Sequence, residues 1–276
     1  MTPGIFAKTF AGEDPLNVLA AARAAGFATV QYNWACSGLG ALPHMISDRQ
    51  AQDVADASAA TGVGIAAISA TYNMIDPDPV KRAAGRASFA AIAARARALG
   101  TQIITVCSGS ADRADQWRHH PDNATPAAWA EMCAEFEILL PIVEQHGLII
   151  GVEPELANVV SSARKARRLL DTFKSRHIGI VLDAANLFEV EAPDSQRTVI
   201  AEAIALLSDA IVMAHAKDRH ADGRFATAGQ GVIDWRHYLG CLHAHGFDGA
   251  LVTHGLQAHE APDVATFLAS TWAGLP

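Results

Sequence analysis

The feature that most constrains this chain is an alternation, repeated eight times without interruption, of a short β-branched apolar run and a longer stretch bounded by helix caps. The runs fall at 3–10, 27–33, 63–72, 101–107, 148–155, 177–183, 210–217 and 250–255. Runs of this length, apolar on both faces, suit strands covered on both sides, as in a parallel sheet. Between them, Asp14-Pro15, Ser47 and Thr125-Pro126 open helices, and Gly26, Gly62, Gly100 and Gly147 close them. Eight strand-helix units predict an α/β fold with one domain over 1–276, a single (β/α)8 barrel. An open doubly wound sheet would require a glycine-rich phosphate turn after the first strand, and Phe10-Ala-Gly-Glu-Asp-Pro15 is not one.

A chain of 276 residues, 50% of them hydrophobic, can bury a core of that size. Its net charge of -8 argues against nucleic acid, whose phosphates call for concentrated Lys and Arg. The four cysteines, Cys36, Cys107, Cys133 and Cys241, form no close pair and no secretory leader precedes them, so a reduced, cytoplasmic setting is expected. No apolar segment reaches the roughly 18 residues that span a bilayer, so no membrane partner is expected.

Active sites of such barrels lie at the C-terminal ends of the strands, and polar residues gather there. In Leu148-Ile-Ile-Gly-Val-Glu-Pro-Glu155, alternation puts Glu153 and Glu155 on one face. The sixth strand ends in Asp183, the seventh in His215 and Lys217, and the eighth in His254. A lone Asp after a strand is usually a cap and a lone His is usually packed or exposed, but four such residues ending four successive strands suggest a metal site. Glu153, Asp183, His215 and His254 offer two carboxylates and two imidazoles. That set suits Mn²⁺ first, then Zn²⁺, Fe²⁺ or Co²⁺. Mg²⁺, like Ca²⁺, favours an all-oxygen shell and fits less well.

Val152-Glu-Pro-Glu155, Val181-Leu-Asp-Ala-Ala-Asn-Leu187, Ala214-His-Ala-Lys-Asp218 and Gly229-Gln-Gly-Val-Ile-Asp-Trp235 resemble the xylose isomerase-like TIM-barrel superfamily. That superfamily includes sugar isomerases, ketose 3-epimerases, hydroxypyruvate isomerase, inosose dehydratase and endonuclease IV. Ala70-Thr-Tyr-Asn-Met-Ile-Asp-Pro77, Cys107-Ser-Gly-Ser110 and Trp117-Arg-His-His-Pro-Asp-Asn123 look like its sugar phosphate isomerase/epimerase branch. The resemblance implies that Glu153, Asp183 and His215 bind the metal. The family's fourth ligand is commonly a glutamate, where this chain has His254, and its usual histidine three residues after Asp183 is here Asn186.

What the resemblance implies for function is a divalent-metal-dependent isomerase or epimerase acting on a ketose, an aldose or a related polyol-derived substrate through a metal-stabilised enediolate. Glu153 is the candidate base and His254 the candidate on the opposite face, an imidazole being suited to proton transfer near neutrality. Lys217 is a third catalytic candidate, able to stabilise an oxyanion or protonate a leaving group, with a salt bridge to Glu155 or Asp218 as the plain alternative. Glu155, Asn186, Asn73, Trp117, His120 and Gln31 are candidates for substrate binding, ordinary packing being the competing reading. Loss of the eighth-strand glutamate keeps a second class open, a sugar lyase (dehydratase or 3-keto-glycoside eliminase) using the same enediolate. A non-catalytic sugar-binding protein and an endonuclease rank below it, the latter because the acidic chain has no basic groove. A homo-oligomer is a family-level expectation. Arg113, Arg118, Arg219 and Arg224 are the loop cations available to any anionic substrate.

Overall fold

The computed structural model describes residues 1–275, and its strands are β1 (Thr2–Phe6), β2 (Thr29–Tyr32), β3 (Gly64–Ser69), β4 (Ile103–Cys107), β5 (Ile149–Glu153), β6 (Ile178–Asp183), β7 (Ile211–Ala216), β8 (Asp218–Arg219), β9 (Phe225–Ala226) and β10 (Ala250–Thr253). Eight of these close into a parallel barrel in the order β1-β10-β7-β6-β5-β4-β3-β2, while β8 and β9 form a small antiparallel hairpin beside it. The helices are α1 (Pro15–Ala24), α2 (Asp48–Thr61), α3 (Pro79–Ala96), α4 (Pro126–His146), α5 (Ala163–Phe173), α6 (Pro193–Leu207), α7 (Trp235–Ala244) and α8 (Ala261–Ala273). None among the described residues is long and apolar enough to cross a membrane.

The caps form as their sequences predict. Asp14 accepts the Leu16 N–H with Pro15 in the first turn, Ser47 and Gln50 form a reciprocal capping box, and Gly62 ends α2 at φ 67. Several boundaries differ from the sequence reading. β1 stops at Phe6, because Ala7–Thr9 tightens into a 3-10 turn whose Ala7 carbonyl accepts the Phe10 N–H. β3 ends at Ser69 rather than running to 72, and the fifth helix starts at Ala163, where the Ser162 hydroxyl supplies its cap. The β8–β9 hairpin was not anticipated: two-residue strands carry no periodicity.

The barrel interior is filled, not hollow. Ala67, Val181, Met213 and Val252 form a buried cluster inside it. Val181, Met213 and Val252 each stand two residues before Asp183, His215 and His254, so this cluster is the floor under the polar mouth. Gly151 completes that floor, since a Cβ there would lie 3.0 Å from Val181 Cγ2 and 3.1 Å from Ile103 Cγ2. The remaining strand faces pack against the helices in one large core.

Candidate metal centre

Register places the polar strand ends side by side. Asp183 pairs with His215 across β6 and β7, and Cys107 with Glu153 across β4 and β5. Glu153, Asp183, His215 and His254 each offer one ligand atom, all within 4.8 Å of one another. Glu153, Asp183 and His215 are buried, at 8%, 1% and 3% exposure, whereas the His254 side chain keeps 22%. The imidazoles already point at the carboxylates: His215 Nδ1 is 3.0 Å from Glu153 Oε1 and His254 Nε2 is 3.3 Å from Asp183 Oδ2. Ligand bonds of about 2.0–2.2 Å put opposed donor atoms up to about 4.4 Å apart, so this spacing fits a transition metal after adjustments of a few tenths of an ångström. A second sign of fit is Asn186 Oδ1, a buried acceptor beside the cluster with no hydrogen-bond partner.

The surroundings hold these groups in place. The Asn186 amide donates to Glu153 Oε1 at 3.0 Å, the same oxygen that His215 reaches. The other His215 nitrogen, Nε2, lies 2.8 Å from Gln31 Oε1, and the Gln31 amide donates to Thr105 Oγ1 at 2.9 Å. Tyr238, on α7, directs its hydroxyl at the carbonyls of Leu182 and His215, tying β6 to β7 from outside the barrel. Lys217 Nζ is 3.2 Å from Asp183 Oδ2 and 3.9 Å from Glu155 Oε1, so both carboxylates share it, Asp183 more closely. Phe225 of the hairpin sits above, its ring centroid 4.0 Å from Lys217 Nζ and 4.2 Å from Arg219 Cζ.

Electrostatics sort the groups. Burial pushes the Glu153 carboxyl up, but the His215 charge and hydrogen bond outweigh it and the pKa is lowered. Asp183 is likewise held below the usual carboxylate range, against burial, by Lys217 and His254. Glu155 goes the other way: burial and the nearby Glu153 charge raise it to about 8. Burial also works against the charged forms of His215 and Lys217, yet Glu153 raises the first and Asp183 the second. His254 is lowered by burial and by the His215 charge, which favours a neutral ligand imidazole.

Eight sequence candidates therefore gather at one mouth: Glu153, Asp183, His215, His254, Lys217, Glu155, Asn186 and Gln31. Asn73, Trp117 and His120 lie in the neighbouring loops. Asn73 donates to the Ser110 carbonyl and accepts the Ser110 N–H, Trp117 is half-exposed, and His120 Nδ1 accepts the Asp122 N–H. Asp218 does not pair with Lys217. It accepts the backbone N–H groups of Arg219, Gly229, Gly231 and Ile233 and the Trp235 indole N–H. Arg219 spends its donors on the carbonyls of Ala185 and Gly223. Sequence reasoning passed over Thr105, Tyr238 and Phe225, and used Cys107 as a reduced cysteine and part of the Cys107-Ser-Gly-Ser110 motif, not as a site residue. Cys107 Sγ is 4.0 Å from Glu153 Oε2, and its place at the end of β4 was the available signal.

Residues 19–270 match the model of the xylose isomerase-like TIM barrel family. The chain belongs to that family. Among solved structures, 3-keto-D-glucoside 4-epimerase from E. coli superposes with a TM-score of 0.77 at 16% identity, over 98% of this chain and 99% of that one. L-ribulose 3-epimerase gives 0.74 at 16% identity, over 99% and 94%. D-psicose 3-epimerase from Clostridium cellulolyticum H10 gives 0.73 at 15% identity, over 99% of both chains. At these identities the likeness establishes the fold. No curated protein sequence matches the chain.

Proposed function

We propose that this chain is a divalent-metal-dependent sugar isomerase or epimerase whose substrate binds at the mouth formed by β5, β6, β7 and β10. The observation that carries this reading is the convergence of Glu153, Asp183, His215 and His254 within 4.8 Å, two carboxylates and two imidazoles at the end of the barrel where such enzymes react. Solved sugar epimerases share the fold over nearly the whole chain, which supports the same class. A divalent cation held by these four residues supplies a Lewis acid that polarises a substrate carbonyl and acidifies the adjacent C–H.

The protein's own groups then divide the work. Glu153 Oε1 is engaged by Asn186 and His215, which leaves Oε2, reached only by a long contact from the Cys107 thiol at 4.0 Å, as the oxygen to take a proton from carbon. Lys217, fixed between Asp183 and Glu155, stabilises developing negative charge on the substrate oxygen nearest it. Glu155, beside Lys217 at the rim, hydrogen-bonds a substrate hydroxyl. Gln31 orients the His215 ring through Nε2, as an outer partner of a ligand imidazole does.

One observation favours a second reading. His254 faces Asp183 where the family commonly has a glutamate, so its mouth offers one carboxylate base, Glu153, and one ammonium acid, Lys217. One base and an acid suffice for β-elimination: Glu153 takes the proton, the C–O bond breaks and Lys217 protonates the departing oxygen. Incubation with Mn²⁺ in D₂O and a panel of ketoses and 3-keto sugars separates the two. Deuterium entering recovered sugar without loss of water or aglycone supports isomerase or epimerase chemistry. Stoichiometric elimination sinks it in favour of the lyase.

A further inference from the structure

The candidate ligand set divides by chemistry and by place. Glu153 and Asp183 end the paired strands β5 and β6, whereas His215 lies in β7 and His254 directly follows β10, the next pair around the barrel. The Thr253 hydroxyl donates to the Ala216 carbonyl at 2.9 Å, fastening the end of β10 to β7 one residue before His254. The two imidazole rings then stand 4.5 Å apart, centroid to centroid. Nitrogen donors therefore come from one pair of strands and oxygen donors from its neighbour.

The oxygen half is already heavily engaged. Asp183 Oδ1 accepts the Ala185 N–H at 2.9 Å, and Oδ2 is shared between Lys217 Nζ at 3.2 Å and His254 Nε2 at 3.3 Å. Glu153 Oε1 takes the Asn186 amide at 3.0 Å. A fixed ammonium beside Asp183 repels any incoming cation, and the N–H donors draw on the carboxylate charge that would attract one. Mg²⁺ is hurt most, because it dehydrates reluctantly and is held by oxygen ligands and charge alone. Transition ions recover affinity through imidazole nitrogen, which suits Zn²⁺ and Fe²⁺. Selection between the two kinds of ion therefore falls to the nitrogen half. His215 is enclosed there, with Gln31 behind its ring, whereas His254 is the second nitrogen donor and keeps 22% of its side chain exposed.

We infer that His254 is the residue that selects the ion, admitting Mn²⁺, Fe²⁺, Co²⁺ and Zn²⁺ to the cluster and excluding Mg²⁺. The selection rests on reading Glu153, Asp183, His215 and His254 as one metal centre, and it adds which ion that centre rejects. A carboxylate at 254 would bring a third anionic group to offset Lys217 and would open the centre to Mg²⁺. The neutral imidazole supplies a nitrogen ligand without that charge.

Titration of Mg²⁺ into the Co²⁺-loaded protein, followed by the visible absorption of bound Co²⁺, tests it in wild type, His254→Glu and His254→Ala. Wild type should hold Co²⁺ against Mg²⁺ at least about tenfold better than His254→Glu does, with a shifted Co²⁺ spectrum in the variant. His254→Ala should also lower the Co²⁺ preference, by losing Co²⁺ affinity rather than gaining Mg²⁺, so the question is answered even if His254→Glu does not fold. A Co²⁺ preference and spectrum unchanged in the variants would overturn the selection, as would a wild type that Mg²⁺ empties as readily as His254→Glu. Deuterium exchange into sugars is scored separately. A protein whose Co²⁺ preference depends on His254 but which exchanges nothing loses the proposed activity and keeps the selection; one that exchanges sugars with an unchanged preference loses only the selection.

Discussion

Lys217 Nζ lies 3.2 Å from Asp183 Oδ2, and the two residues are 5% and 1% exposed. Removing one partner of a buried pair leaves the other charge uncompensated, at about 3–5 kcal/mol. Lys217→Met should therefore destabilise the metal-stripped protein by that order. A divalent cation should restore much of the loss, because it returns positive charge to Asp183. Melting curves in chelator and in Mn²⁺ check this, and an equal loss in both conditions would contradict it.

Asn186 touches the candidate ligand set through Glu153 alone, donating to Oε1 at 3.0 Å. Loss of an outer partner that orients a ligand typically costs about 10–100-fold in metal affinity. Asn186→Leu should weaken Mn²⁺ binding within that range without unfolding the barrel. Competition against a chelating dye measures it, and an unchanged affinity would mean that Glu153 is oriented without Asn186.

Asp218 is 0% exposed and accepts five N–H groups, four from backbone and one from Trp235, folding the loop over 229–235 onto the hairpin. Asp218→Asn turns an NH₂ toward N–H donors and should cost about 2–4 kcal/mol. Urea denaturation gives the number, and a loss below that range would mean that water replaces the carboxylate.

A pH dependence follows from Asp234, which caps α7 and receives Arg197 Nε at 2.8 Å. Burial raises its pKa, but the His237 N–H and Arg197 outweigh that, so the folded value lies below the unfolded one. A depressed carboxyl contributes stability above the unfolded pKa near 3.9 and loses it as pH falls through the folded value. Asp234→Ala should cost about 1 kcal/mol at pH 7. The gap to wild type should narrow as pH drops below about 4, and a gap constant with pH would contradict this.

The barrel and its candidate ligand set were legible because both rest on local rules. Strand alternation fixed which side of β5, β6 and β7 faces inward, so Glu153, Asp183 and His215 could be placed together before any register was known. Contacts that depend on barrel closure were not legible. Gln31 meets His215 across 184 residues of sequence, and a register shift at Val30/Gln31 in β2 helps set where Gln31 points. Lys217 had Glu155 or Asp218 as its expected partners, and only the packed mouth brings Asp183, at 3.2 Å, nearer than Glu155, at 3.9 Å. Asn186, a substrate-binding candidate, directs its amide at Glu153, a contact across 33 residues that local rules do not show. Asp218 stood next to Lys217 in sequence, but successive strand residues face opposite ways, and it closes a loop instead.

The claim on which the rest depends is that Glu153, Asp183, His215 and His254 together hold one divalent cation. Calorimetric titration of chelator-stripped protein with Mn²⁺, run beside Asp183→Ala, measures it most directly. One Mn²⁺ per chain in the wild type and none in the variant at the same concentration is the expected result. Equal uptake by both proteins, or no uptake by the wild type, would contradict it.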